Sequence, residues 1–287
     1  MKPTVQAFFD KATNTISYLV SDPATSVAAV IDPVLDYHAA AVRTSTASAD
    51  AILAAAAEQG LRIERVLETH AHADHLSAAH YIREQTGARI GIGRRITEVQ
   101  KTFADLFEMD DVAPDGGVFD DLFDDGQRFA VGGLEVEVIH TPGHTPACVS
   151  YHIDDAVFVG DTLFMPDYGT ARTDFPGGDA ATLYRSIQRL LALPAETRMF
   201  VGHDYLPETG RDAFVWETTV GEQRRANIHV GGGVSESDFV ARRTTRDAGL
   251  DVPRLILPSL QVNIRARDLP SAEPSGKRFL KFPVNAL

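Results

Sequence analysis

Cysteine is nearly missing from this chain. Cys148 is the single one in 287 residues, so no disulfide can form within it. That fits a reducing compartment, and the expected location is the cytoplasm. Long apolar runs are missing too. The longest helix-like one, residues 51–57, falls far short of the roughly 20 residues that span a bilayer. The N-terminus reaches Asp10 and Lys11 before any stretch of signal-peptide length, which predicts no secretory leader. Basic charge is in deficit: 27 Lys and Arg face 40 Asp and Glu, for a formal net charge of −13. Such a field repels phosphate backbones, so nucleic acid is not an expected partner and nuclease activity is disfavoured. A small anionic substrate would need cations placed locally. Phosphate-binding loops are absent as well. Gly231-Gly232-Gly233 has no Gly-Lys-Ser/Thr after it and reads as a flexible loop, and Gly91-Ile92-Gly93 lacks the third glycine of a dinucleotide motif.

What is present is an ordinary globular composition, 44% hydrophobic and 23% charged. The length suits a single α/β domain over residues 1–287, with a core of about 1–210 and an extension, 211–287, packed on it. Residues 5–9, 17–21 and 27–31 are β-rich runs separated by turn residues and predict an antiparallel meander ending at Asp32-Pro33. Residues 36–47 read as a polar surface insertion. Ser48 or Asp50 would cap a helix over 51–59 that Gly60 stops. Strand 62–67 follows, then a helix from Leu76 with Asp74 as its N-cap and Gly87 as its end. Strand 89–92, helix 94–108 and an acidic loop over 110–125 come next. Hairpins are predicted over 128–139 and 149–159, a helix over 180–193 and a strand at 199–201. Ser235 to Asp238 resembles a capped helix start.

The stretch Thr69-His70-Ala71-His72-Ala73-Asp74-His75 organises the chain. It follows a buried-strand pattern, and alternation puts His70 and His72 on one side. Three further strands run into Pro142-Gly143-His144, Gly160-Asp161 and Gly202-His203. Neutral imidazole is the commonest metal ligand, and a carboxylate supplies the charge a divalent cation needs. Five histidines at strand ends beside two carboxylates therefore predict a metal site built from His70, His72, Asp74, His75, His144, Asp161 and His203. His38, His80, His140, His152 and His229 stand outside these loops and are expected to be structural. Cys148, beside Val149 in a strand, reads as a small buried hydrophobe.

This ordered set of four motifs resembles the metallo-β-lactamase superfamily over roughly residues 1–205. The resemblance implies an αββα sandwich with its metals at the strand ends. Thr162-Leu163-Phe164, Gly169-Thr170-Ala171-Arg172-Thr173-Asp174-Phe175, His203-Asp204-Tyr205 and the 141–148 stretch are similar to the persulfide dioxygenases. Insertions at 36–60 and 94–125 resemble the longer bacterial type, and Ala171 stands where that family usually has glycine. The resemblance implies one Fe(II) per chain on a facial triad of His70, His144 and Asp161, oxidising glutathione persulfide with O2 and water to sulfite and glutathione. His72, Asp74, His75 and His203 would then support the ligands or form a vacant second metal pocket, with Thr145, Asp204 and Tyr205 also supporting. Arg172 would anchor a glutathione carboxylate, against a plain salt bridge to Asp174. A homodimer is common in that family. The rival is a glyoxalase II-like hydrolase of a glutathione thioester, with two zinc ions sharing the same seven residues across Asp161. A metal-binding regulator without turnover is a third and weaker expectation.

Overall fold

Short strands of β-branched residues, each showing a different neighbour to its two faces, set the architecture. The computed structural model describes residues 2–207, 209–266 and 269–285. The chain begins with β1 (Thr4–Asp10), β2 (Thr15–Ser21), β3 (Val27–Ile31), β4 (Val34–His38), β5 (Arg43–Ser45) and α1 (Ala47–Glu58). It continues with β6 (Arg62–Leu67), β7 (Leu76–Ser77), α2 (Ala79–Thr86), β8 (Arg89–Gly93), α3 (Ile96–Phe107) and β9 (Asp121–Phe123). The second half holds β10 (Arg128–Val131), β11 (Leu134–His140), β12 (Val149–Ile153), β13 (Ala156–Phe158), α4 (Ala180–Leu191) and β14 (Arg198–Phe200). Last come β15 (Glu217–Thr219), α5 (Val220–Ala226), α6 (Glu236–Asp247) and α7 (Ile256–Asn263).

Two six-stranded sheets result, ordered β1-β2-β3-β6-β8-β9 and β10-β11-β12-β13-β14-β15, beside a small sheet β5-β4-β7. The meander pairs antiparallel as expected, whereas β3, β6, β8 and β9 run parallel, with helices in the crossovers. Ile16, Tyr18 and Val20 of β2 point between the sheets, toward Val136, Val138, Tyr151 and Phe158. Leu19 and Val30 face the other way, onto Ile52, Ile82 and Phe103 of α1, α2 and α3. Leu183, Ile187 and Leu190 bury α4 in the core around the second sheet. Each such side chain contributes about 1.5–3 kcal/mol by burial. The layers are those of an αββα sandwich.

Several local expectations are corrected. Helix α1 begins at Ala47 behind Thr46, and Asp50 instead accepts from the hydroxyls of Thr46 and Tyr81 at 2.8 and 2.7 Å. Asp74 caps nothing, because its carboxylate is drawn to His203 and His75, each 3.3 Å away. Leu76 and Ser77 are accordingly extended and pair with β4, and α2 starts at Ala79. Residues 36–47 form the β4–β5 hairpin rather than a plain insertion. Inside the 110–125 loop, β9 is a parallel edge strand whose acidic Asp121 is neutralised by Arg65 and Arg89.

Candidate metal centre

Strand ends deliver the histidines, and their second ring nitrogens decide what each can do. Past β3, Asp32 takes a positive φ of 48° and accepts Thr69 N–H at 2.7 Å and the Thr69 hydroxyl at 2.8 Å. The hydroxyl, its proton committed to Asp32, accepts from His70 Nδ1 at 3.0 Å. His70 Nε2 is then an unprotonated donor facing the site. His144, past β11, donates from Nδ1 to the carbonyl of Arg172 at 2.8 Å, which frees its Nε2 in the same way. His203, past β14, donates from Nδ1 to Asn14 O at 3.2 Å. Gly160 sets Asp161. Its φ is +47°, and a β-carbon there would collide with the Thr69 hydroxyl.

The donor atoms of His70, His144 and Asp161 all lie within 4.8 Å of one another, with His144 Nε2 and His70 Nε2 3.7 and 3.9 Å from Asp161 Oδ2. His72, Asp74 and His75 form a second such group. Its His72 Nε2 contacts Asp32 at 3.0 Å and Glu68 at 3.3 Å, leaving Nδ1 for the site. His203 Nε2 sits 3.3 Å from both Asp74 and Asp161. His70 Nε2, His72 Nδ1, His75 Nε2 and Asp161 Oδ1 are buried without a hydrogen-bond partner. Buried orphans cost about 1–3 kcal/mol each. Their convergence, and their chemistry of imidazole and carboxylate, fits a divalent transition metal.

Electrostatics points the same way. Burial, then His72 and His144, hold His70 well below the usual imidazole range, so it stays neutral. Burial would also lower His203 and His72, but carboxylates outweigh it. Asp161 and Asp74 raise the first, and Asp32 and Glu68 raise the second well above the ordinary value. Against its own burial, Asp74 is pulled well below the carboxylate range by His203 and His75. The carboxylates thus favour positive charge in the cluster, the charge that a bound cation would supply.

The seven motif residues therefore come together. Others lie elsewhere. Thr145 does not reach a ligand; its hydroxyl meets Cys148 Sγ at 3.0 Å, and burial pushes that thiol up to about 12. Asp204 is buried against Arg211 and accepts Val215 N–H, anchoring the loop rather than a ligand. Tyr205 stacks on His203 with ring centroids 5.5 Å apart. His140 bonds Pro146 O, and His229, lowered to about 4 by burial and by Arg243, accepts Thr170 N–H; neither joins the cluster. Sequence reasoning passed over Asp32, Glu68, Thr15, Asn14 and Asn263. Of these, only Asn14 and Asp32 sat at recognisable turns.

A cavity of about 390 Å³ opens before His144 and Asp161, walled by Phe164, Tyr168, Tyr205 and four arginines. That is within the ~300–1,000 Å³ usual for small-molecule sites. The guanidinium of Arg172 is closed on Asp174 in a two-pronged pair at 2.5 and 2.6 Å, the salt bridge rather than a free anchor. Arg243 is likewise closed on Asp247. Arg246 lies 5.7 Å over the Tyr168 ring, and among the described residues neither it nor Arg254 has a carboxylate partner.

Comparison with known proteins adds descent to geometry. The chain is 53% identical over 295 residues to a Burkholderia pseudomallei protein named "Probable metallo-hydrolase", covering 99% of this chain and 100% of the relative. It is 46% identical over 289 residues to "Glyoxylase B2" of Dictyostelium discoideum, covering 100% of this chain and 98% of that one. The human mitochondrial persulfide dioxygenase ETHE1 is 31% identical over 204 residues, 70% of this chain and 68% of its own. A "Beta-lactamase hydrolase-like protein" of Agrobacterium fabrum, 51% identical, is longer; the match covers 99% of this chain but 65% of that one. Among solved structures, ETHE1 from Myxococcus xanthus superposes with a TM-score of 0.72 at 32% identity, over 91% of this chain and 98% of its own. Residues 12–203 match the family model of the metallo-beta-lactamase superfamily, and the chain belongs to that superfamily.

Proposed function

We propose that the protein is an iron-dependent persulfide dioxygenase, converting glutathione persulfide, O2 and water to glutathione and sulfite. The observation that carries this reading is that two of the three triad residues, His144 and Asp161, line the cavity, against Asp74 alone in the second group. Asp74, the carboxylate a second ion would need, is already paired with His203 and His75. In the triad, His70 Nε2 and Asp161 Oδ1 have no hydrogen-bond partner, although Asp161 also lies 3.3 Å from His203. Two imidazoles and one carboxylate on one face suit non-haem Fe(II), which when bound supplies open positions for O2 and a sulfur ligand. The chain does the rest. Thr69 and the Arg172 carbonyl hold the tautomers of His70 and His144. Phe164, Tyr168 and Tyr205 form the aromatic wall that limits water around the sulfur. Arg246 and Arg254 meet the carboxylates of glutathione, and Arg172 with Asp174 shapes the wall between. Similarity to a protein named persulfide dioxygenase ETHE1, and to the solved ETHE1 of Myxococcus xanthus, supports the reading.

A second reading, a two-zinc hydrolase of a glutathione thioester, is favoured by the partnerless His72 Nδ1 and His75 Nε2, which suit a second ion. Protein purified without oxygen and assayed for metal and turnover separates the two. The dioxygenase predicts about one iron per chain and oxygen uptake with glutathione persulfide. About two zinc ions per chain, thioester hydrolysis and no oxygen uptake would move the assignment to the hydrolase.

A further inference from the structure

The histidine loop is held from the far end of the sequence. Asn263, the last residue of α7, is buried, and its whole amide is engaged by residues 72–77. Nδ2 donates to His72 O and to His75 O, and Oδ1 accepts Ser77 N–H, all at 2.8 Å. Residues 68–75 contain no helix or strand, so their backbone groups depend on such outside partners. The helix bearing Asn263 is fixed independently of the loop. Gln100 of α3 donates to Ile264 O at 2.9 Å, and Ile256 and Leu260 are buried under the first sheet's helices.

We propose that Asn263 is a positioning residue of the metal centre. The two carbonyls it holds flank Asp74. Fixing them fixes the directions in which His72 Nδ1 and His75 Nε2, both without partners, are aimed. It touches no ligand side chain; in the hydrolase reading it aims two ligands, and in the oxygenase reading it holds the loop whose His72 ring packs 4.1 Å from that of the ligand His70. Outer partners of ligands typically set metal affinity by about 10–100-fold. A residue near the C-terminal end thereby belongs to a site whose ligands all precede residue 204.

The test compares the full chain with Asn263→Asp and with Gln261→Glu. Asn263→Asp keeps the shape and the acceptor for Ser77 but sets a carboxylate oxygen against two carbonyls. Gln261→Glu makes the same exchange two residues earlier, against Leu257 O and Lys281 O. Three readings are taken: the Co(II) dissociation constant by chelator competition, the visible spectrum of the cobalt protein, and amide exchange of residues 70–77 without metal. Asn263→Asp is expected to weaken cobalt at least about tenfold, shift the spectrum and speed loop exchange, while Gln261→Glu leaves all three near the parent values. Cobalt affinity within about twofold of the parent in Asn263→Asp, or an equal loss in Gln261→Glu, overturns the proposal. Should Asn263→Asp fail to fold, Asn263→Ser, too short to reach the loop, is judged by the same three readings.

Discussion

Four guanidinium groups wall the cavity of a chain whose net charge is −13, and their partners divide them. Arg172 and Arg243 are closed on Asp174 and Asp247 and bring no unspent charge to a ligand. Arg246 and Arg254 do. A substrate carboxylate meeting such a group gains a charge-assisted bond of about 1.5–3 kcal/mol. Arg254→Ala should therefore raise KM for glutathione persulfide by about tenfold or more, with kcat changed less than about threefold. Initial-rate kinetics at saturating oxygen checks this, and an unchanged KM removes Arg254 from the substrate site. Cys148 takes no part in sulfur chemistry on this view, since a thiol pushed up to about 12 is scarcely a nucleophile at neutral pH.

Elements matter here through the turns that end them. Gly160 lies between β13 and Asp161 at a φ of +47°, pressed against Thr69, which orients both Asp32 and His70. Gly160→Ala adds backbone strain of about 1–2 kcal/mol and an overpacking cost of about 1–3 kcal/mol. Urea denaturation should show a loss of roughly 2–5 kcal/mol in unfolding free energy. Metal retention should fall with it, because the displaced hydroxyl is the one that sets the His70 tautomer. A variant as stable as the parent would mean the turn relaxes without moving Thr69.

At the scale of the molecule, β15 edges the second sheet, α6 packs on α4, with Tyr184 and Phe239 rings 5.6 Å apart, and α7 clamps the histidine loop. On that ground we propose that residues 1–287 fold as one unit. Metal binding is then linked to the whole fold. At a free metal concentration near 100 times Kd it adds about 2.7 kcal/mol, worth roughly 4–5 °C in Tm for a chain of this size. Calorimetry should show one transition that falls by that amount on chelation. In Asp161→Asn, which loses the central carboxylate charge, Tm should no longer respond to added metal. Two separate transitions, with only one sensitive to metal, would count against the single unit.

By itself the sequence determined most of the strands and helices and the seven candidate side chains, because these are written locally, while the αββα layering was implied by the resemblance of the four ordered motifs to a known superfamily. Alternation places core residues, and a His or Asp directly after a strand projects past the sheet edge. Only the tertiary structure decided which ring nitrogen each histidine offers. That depends on Asp32, Glu68, Thr15, Asn14 and the Arg172 carbonyl, partners brought in from other strands and loops. It decided as well that Asp74 pairs with histidines instead of capping a helix, and that Arg172 is closed while Arg254 is not. The Arg172–Asp174 pair is local and was one of the two readings left open by the sequence. For the ring nitrogens and for the Asp74–His203 pair the physical reason is the same. A hydrogen bond or ion pair between residues distant along the chain exists only after the sheets have packed, and local pattern carries no record of it.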